Sequence, residues 1–139
     1  MKLNLENFNI RKSKPIIFGN AGLPENVERY TLKGMEMIGI DIFRDDKLII
    51  LNIEGSQICE MSFFDNMGKC RSILNAEYNS DANFIKNKIK DNNYIKFLKR
   101  LKQKNYEFNN LKSLNIFNNE TIADEKKEFI VEKDGFALI

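Results

Sequence analysis

Glu54, Gln57 and Glu60 flank a glycine turn, Glu54-Gly55-Ser56-Gln57, and Cys59 sits between the last two. Two carboxylates on either side of a tight turn are raw material for an acid–base pair, one donating and one accepting a proton. The turn between them can also send them to different faces of the strands it joins. No nucleophile or metal ligand accompanies them. The three are therefore read as a candidate ligand-binding set, with plain turn chemistry as the simpler role for Glu54-Gly55. Cys59 would be a reactive thiol only if a neighbour lowered its pKa, and no adjacent residue does; filling the core is the commoner fate of such a cysteine.

The chain contains no His and no Trp. That removes Ser-His and Cys-His nucleophilic pairs and every histidine-containing zinc site. Cys59 and Cys70 stand eleven residues apart, which is neither a CxxC site nor a disulfide framework, and reads as two reduced thiols. Asp41, Asp45, Asp46 and Asp65 do not match the spacing of a calcium loop, and Gly19-x-x-Gly22 is too short a signature for a phosphate loop. No metal site and no cofactor are expected in this chain, and no catalytic constellation is visible in it.

Charge offers a second candidate. Lys86, Lys88, Lys90, Lys96, Lys99, Arg100, Lys102 and Lys104 fall close together, opposed by Asp91 alone. Lys96, Lys99 and Arg100 lie off the apolar face of the helix that carries them, so they form a candidate basic surface for phosphates or for a partner's carboxylates. Nucleic acid is disfavoured, because aromatic rings are not interleaved as stacking platforms. A solvated, lysine-rich helix face is the simpler role.

The elements that would position these residues follow from pattern. Residues 1–26 read as an extended arm: Pro15 and Pro24 exclude helix, Gly19-Asn20-Ala21-Gly22 is turn chemistry, and Ile16-Ile17-Phe18 suits a short strand. From Val27 the pattern is β. Glu28–Leu32, Met35–Phe43, Leu48–Glu54 and Ile58–Phe64 are four strand candidates joined by short turns, as in a meander, a sandwich half or a small barrel. Leu48–Glu54 is nearly continuous apolar, like a strand covered on both faces. Gln57, Cys59, Met61 and Phe63 would share one face of the next strand. Residues 65–79, irregular and polar with Gly68 among them, are the best candidate for a functional loop, with a plain connector as the simpler role. Ser80-Asp81 and Asp91-Asn92 offer N-caps for two helices, the second with Tyr94, Ile95, Leu98 and Leu101 on one face and fraying near Asn105. Glu128–Glu132, Lys133-Asp134-Gly135 and Phe136–Ile139 form a hairpin signal.

These elements predict an α+β fold: a mostly antiparallel β-sheet or partly closed barrel, one or two covering helices from residues 81–105, and a C-terminal hairpin. Residues 27–139 would be one domain. With 42% hydrophobic and 30% charged residues the chain is globular rather than disordered, and a net charge of +2 gives no global field for a polyanion. The N-terminus lacks the apolar core of a signal peptide and no apolar run is long enough to span a bilayer, so a cytoplasmic protein with no membrane role is expected. Heavy use of Lys, Asn and Ile reads as the codon bias of an AT-rich bacterial genome. The stop at Phe136-Ala137-Leu138-Ile139, within a strand, reads equally as a docked terminus or as the front of a longer chain.

Glu28-Arg29-Tyr30-Thr31-Leu32, followed by Ile53-Glu54-Gly55-Ser56-Gln57-Ile58-Cys59-Glu60-Met61, resembles the urea-carboxylase-associated family, where a strand leads into an E-G-x-Q turn with an acidic residue three places after the Gln. Glu60 takes that place, where the family usually has Asp. The segment from Phe97 to Ile139 resembles the form fused upstream of glycine-cleavage T-type aminomethyltransferases, through Leu98-x-x-Leu101, Ser113–Asn118 and Glu128–Gly135. The resemblance implies a non-catalytic accessory domain or subunit of a tetrahydrofolate-dependent aminomethyltransferase in one-carbon or amine metabolism. Its partner would be a covalently linked or separate aminomethyltransferase domain, and tetrahydrofolate would bind in that domain; a homo-oligomer is also open. The Cys/His cluster of deiminase-like members is absent here. Two alternatives stand: a subunit of a urea- or guanidine-type nitrogen-metabolism enzyme, which needs Gln57, Cys59 and Glu60 to converge, and an RNA-binding module using the lysine-rich helix.

Overall fold

The structure, a computed structural model, describes residues 2–6 and 26–139. The described residues form strands β1 (Lys2–Glu6), β2 (Val27–Thr31), β3 (Gly39–Ile42), β4 (Lys47–Asn52), β5 (Cys59–Asp65), β6 (Leu114–Ile116), β7 (Glu125–Ile130) and β8 (Gly135–Leu138). Two helices, α1 (Asn83–Lys88) and α2 (Ile95–Gln103), lie between β5 and β6 in the chain. The strands make two antiparallel sheets of order β2-β1-β4-β7 and β3-β8-β5-β6. The fold is α+β with open sheets, and among the described residues neither closes into a barrel.

Within the segment expected as an arm, residues 2–6 form β1, seated between β2 and β4 in the middle of the first sheet. The strand expected at Ile16-Ile17-Phe18 and the turn at Gly19–Gly22 lie outside the described residues.

Of the meander, sandwich half or small barrel that the four central strands could have formed, the meander is not seen. β2 and β4 belong to the first sheet, β3 and β5 to the second, so the chain changes sheet at each short turn. The C-terminal hairpin behaves alike: its first strand, β7, pairs with β4, and its second, β8, is inserted between β3 and β5. Two of these crossing turns are tied together. Asp45 N–H donates to Val131 C=O at 2.8 Å, Val131 N–H to Asp46 C=O at 2.9 Å, and Arg44 N–H to the Asp134 carboxylate at 2.8 Å. Gly135 is required by close approach: a Cβ there would stand 2.2 Å from the Phe64 carbonyl oxygen. The Asp-Gly pair thus marks a place where backbones touch.

Burial assigns three layers. β4 alternates, with Leu48, Ile50 and Asn52 buried and the residues between them half-exposed. The strand covered on both faces is instead β5, six of whose seven residues are buried. Cys59, Met61 and Phe63 join Leu48, Ile50, Ile40 and Ile42 in one core between the sheets. Phe64 joins Ile85, Leu101, Phe136 and Leu138 in a second core under the helices. The order is therefore sheet, sheet, helices. Alternation explains β4, since a period of two puts one residue set inward. It hid β5, because Glu60 and Ser62 read as outward positions.

Residues 65–79 stitch the second sheet. Where β6 ends, the Tyr78 hydroxyl takes over as partner for β5. It accepts the Phe63 N–H at 2.8 Å and donates to the Phe63 C=O at 3.1 Å. Burial pushes that phenol far above its usual range, and the nearby Cys70 thiol adds to the shift.

Candidate functional site

Helix α1 shows how Glu60 is used. The N-cap expected at Ser80-Asp81 is not formed; Ala82 occupies the cap in a left-handed conformation (φ 57°) with no side-chain bond. Ser80 instead exchanges backbone hydrogen bonds with Ser113, and Asp81 pairs with the Lys112 ammonium. The orphan amides of a helix start still need acceptors. Glu60, reaching from β5, supplies one: its Oε2 accepts the Ile85 N–H at 2.7 Å. Its Oε1 accepts the Ser113 hydroxyl at 3.1 Å, and Ser113 Oγ in turn accepts the Ala82 N–H at 3.1 Å. A buried carboxylate at a helix start is favoured by both the hydrogen bonds and the helix dipole. Asp91 does cap, but it caps the one-turn 3-10 helix Asn92–Tyr94 that leads into α2, its carboxylate accepting the Asn93 N–H at 3.0 Å; α2 itself starts from Tyr94 without a side-chain cap.

Beside this junction lies a cleft of about 580 Å³, walled by residues 32–36, residues 56–60, Asn83 and Phe84 of α1, Ser80, Asn115, Asn119 and Ile139. Gln57 and Glu60 both line it, and so does Cys59. Glu54 is exposed outside it and accepts a hydrogen bond from Gln57 Nε2 at 3.1 Å. The structure thus brings two of the three expected ligand residues to one cleft and makes the third a tether for Gln57.

The turn that aims Gln57 is braced from below. Asn52, 1% exposed, donates through Nδ2 to the Gln57 carbonyl at 2.9 Å and accepts the Gly55 N–H at 3.0 Å. Gly55 has φ +78°, and a Cβ there would approach Ala123 N and Thr121 O to 2.8 Å. Only glycine suits both demands. Cys59 is 1% exposed and burial pushes its thiol up to about 12, so it is protonated and inert at neutral pH.

Two of the remaining walls' residues are charged, the exposed Lys33 and Glu36, and the Glu36 carboxylate accepts the Lys33 N–H at 2.8 Å; the rest are apolar or neutral. Met35 and Ile58 are 68% and 62% exposed, unusual for such side chains. Asn83, Asn115 and Asn119 add carboxamides. Asn115 donates through Nδ2 to Ser80 Oγ at 3.2 Å, while its buried Oδ1 has no hydrogen-bond partner. Asn79 closes the outer edge of β6 by accepting the Asn115 N–H at 2.8 Å and donating to its C=O at 3.1 Å, as a neighbouring strand would. Sequence reasoning missed Asn52, Asn83, Ser113 and Asn115. Asn52 gave a signal, as the single polar residue inside an apolar strand; the others come from distant segments and gave none.

The basic candidates are separate. Lys96 and Lys99 are exposed on α2, and Arg100 belongs to the same helix. The four aspartates expected not to bind calcium serve turns where their bonds are seen: Asp46 caps Phe43 N–H, and Asp65 accepts from Met67 and Lys69. Among the described residues no group of three or more His, Cys, Asp or Glu side chains is placed to hold a metal, and no helix is long and apolar enough to cross a membrane. Comparison of the chain with protein-family models, with curated proteins and with solved structures finds no match.

Proposed function

We propose that this chain is a non-catalytic binding module whose working site is the cleft between the Gly55 turn and α1. One observation carries the reading: Glu60, the acid best placed to act, is spent on the start of α1, while Met35 and Ile58 stand exposed at the walls. An acid–base catalyst needs a carboxylate free to exchange its proton. A binding cleft needs apolar contact and a few neutral polar groups to set orientation, which is what Gln57, Asn83 and Asn119 offer. The fitting ligand is a small uncharged molecule or neutral peptide segment with an apolar body and an amide- or hydroxyl-bearing edge.

In its finer form the reading makes the chain an accessory domain or subunit of a tetrahydrofolate-dependent aminomethyltransferase, with docking or substrate gating as its contribution. Support for that form is the resemblance carried by Ile53–Met61 and the segment from Phe97 onward. A second reading, a subunit of a urea- or guanidine-type enzyme, is favoured by the fact that Gln57 and Glu60 line one cleft, which Cys59 borders from its core-facing position on β5.

The test is a side-chain-amide NMR titration of the purified chain with small neutral amides, run beside turnover assays with urea, guanidine and an aminomethyltransferase domain. Binding should shift the Gln57 and Asn83 side-chain signals and be lost in Ile58→Asp. The chain alone should turn over neither urea nor guanidine. Turnover that disappears in a folded Cys59→Ala variant would overturn the binding reading in favour of the enzyme subunit.

A further inference from the structure

A different surface carries an independent inference. Residues 83–104 hold eight basic residues and one acidic, a net of +7. The whole chain is only +2, so the other residues together carry −5, with 14 basic against 19 acidic. Charge is thus segregated onto the helical layer. On α2, Lys96, Lys99 and Lys102 are exposed and follow one another at three-residue spacing. Residues three apart on a helix are neighbours, and like charges so placed repel. No carboxylate among the described residues pairs with any of the three; the one ion pair described within the stretch is Lys88 with Asp91, at 3.8 Å. Ile95, expected on the apolar face of the helix, is instead 40% exposed; it precedes Lys96 and lies one turn before Lys99, at the border of the lysine face.

We propose that this outer face of α2 docks an acidic segment of a protein partner, one carrying an aliphatic side chain among its carboxylates. The carboxylates relieve the Lys–Lys repulsion, and the aliphatic group covers Ile95. RNA fits less well. Base stacking needs free aromatic faces, and three rings of the helical layer are occupied: Tyr94 lies 5.6 Å from the Lys88 ammonium, and Tyr106 and Phe108 each pack 5.3 Å from Phe64 in the second core. A bilayer surface asks for a broad apolar face opposite the lysines; among the described side chains of α2, Ile95 is the exposed apolar one, while Leu98 is half-buried and Leu101 is buried in the second core.

Fluorescence anisotropy of the whole chain with a labelled, glutamate-rich peptide bearing a central leucine tests this. Oligouridylate and phosphatidylserine vesicles serve as rival ligands. The peptide should bind saturably and weaken as salt is raised. The triple variant Lys96→Gln/Lys99→Gln/Lys102→Gln should weaken it by about tenfold or more, since each exposed pair is worth up to about fivefold. Ile95→Ser should weaken it severalfold, and so should replacing the peptide's leucine by serine. Lys126→Gln/Lys127→Gln, on the distant edge strand β7, should leave it unchanged. Circular dichroism of each variant confirms that the helices are intact. Tighter binding of oligouridylate or vesicles than of the peptide overturns the proposal. So does peptide binding that the lysine variant leaves unchanged, or the absence of saturable binding.

Discussion

The two faces of β5 are built on different principles. The face toward the first sheet is Cys59, Met61 and Phe63, dry and apolar, and it holds by burial. The face toward the helices is mixed: Phe64 anchors the second apolar core, and beside it Glu60 and Ser62 hold by hydrogen bonds. Glu60 fastens α1, and Ser62 Oγ donates to the Lys112 carbonyl at 2.6 Å. Apolar packing tolerates sliding of one layer over another, whereas hydrogen bonds to named atoms fix one position. The sheet pair therefore supplies stability, and the polar pins set where α1 stands, which is one wall of the cleft.

Damage to the apolar face should have the largest effect. Phe63 is fully buried, and Phe63→Ala should cost about 3–5 kcal/mol in urea denaturation and loosen the whole domain. Alkali attacks the same face through its one titratable group. The Cys59 thiol is raised from 9.0 to about 12 by burial, so the unfolded chain ionises first. The Cys59 contribution should be constant from neutral pH to about 9 and fall as pH rises toward 12, by a total on the order of 4 kcal/mol. Tyr78, also raised, steepens the fall above pH 10. Urea midpoints measured from neutral pH upward should show this slope in the natural chain and a shallower one in Cys59→Ala.

The polar face should respond less and more locally. Glu60→Ala leaves the Ile85 N–H and the Ser113 hydroxyl without their acceptor inside the fold, at a cost of about 2–3 kcal/mol. Far-UV circular dichroism should lose helix before sheet. Ser62→Ala removes a single bond to the Lys112 carbonyl and should cost about 1 kcal/mol, read from the same denaturation curves. If Ser62→Ala proved as damaging as Phe63→Ala, the contrast between the faces would fail.

Local pattern revealed the elements and concealed how they meet. The strand at Leu48, the cap at Asp91 and the stop near Asn105, whose φ is +62°, follow from neighbours in sequence. The alternation of strands between two sheets does not, because a short turn reads alike whether it joins partners or crosses between layers. Glu60 shows the same limit. Its spacing from Gln57 drew attention to it as a ligand group, but its two hydrogen-bond partners lie 25 and 53 residues away. The cleft combines a turn, a helix and a strand from distant parts of the chain, so Gln57 and Glu60 were legible while Asn83 and Asn115 were not.

Amide hydrogen exchange of Ile85, followed by NMR in the natural chain and in Glu60→Ala, tests the central claim most directly. The account predicts a protected Ile85 amide in the natural chain. In the variant, exchange of Ile85 and its neighbours in α1 should quicken while the Met61 and Phe63 amides of β5 keep their protection. An Ile85 amide that exchanges equally fast in both proteins would contradict it: Glu60 would then be free of the helix, and its carboxylate would again be available for chemistry in the cleft.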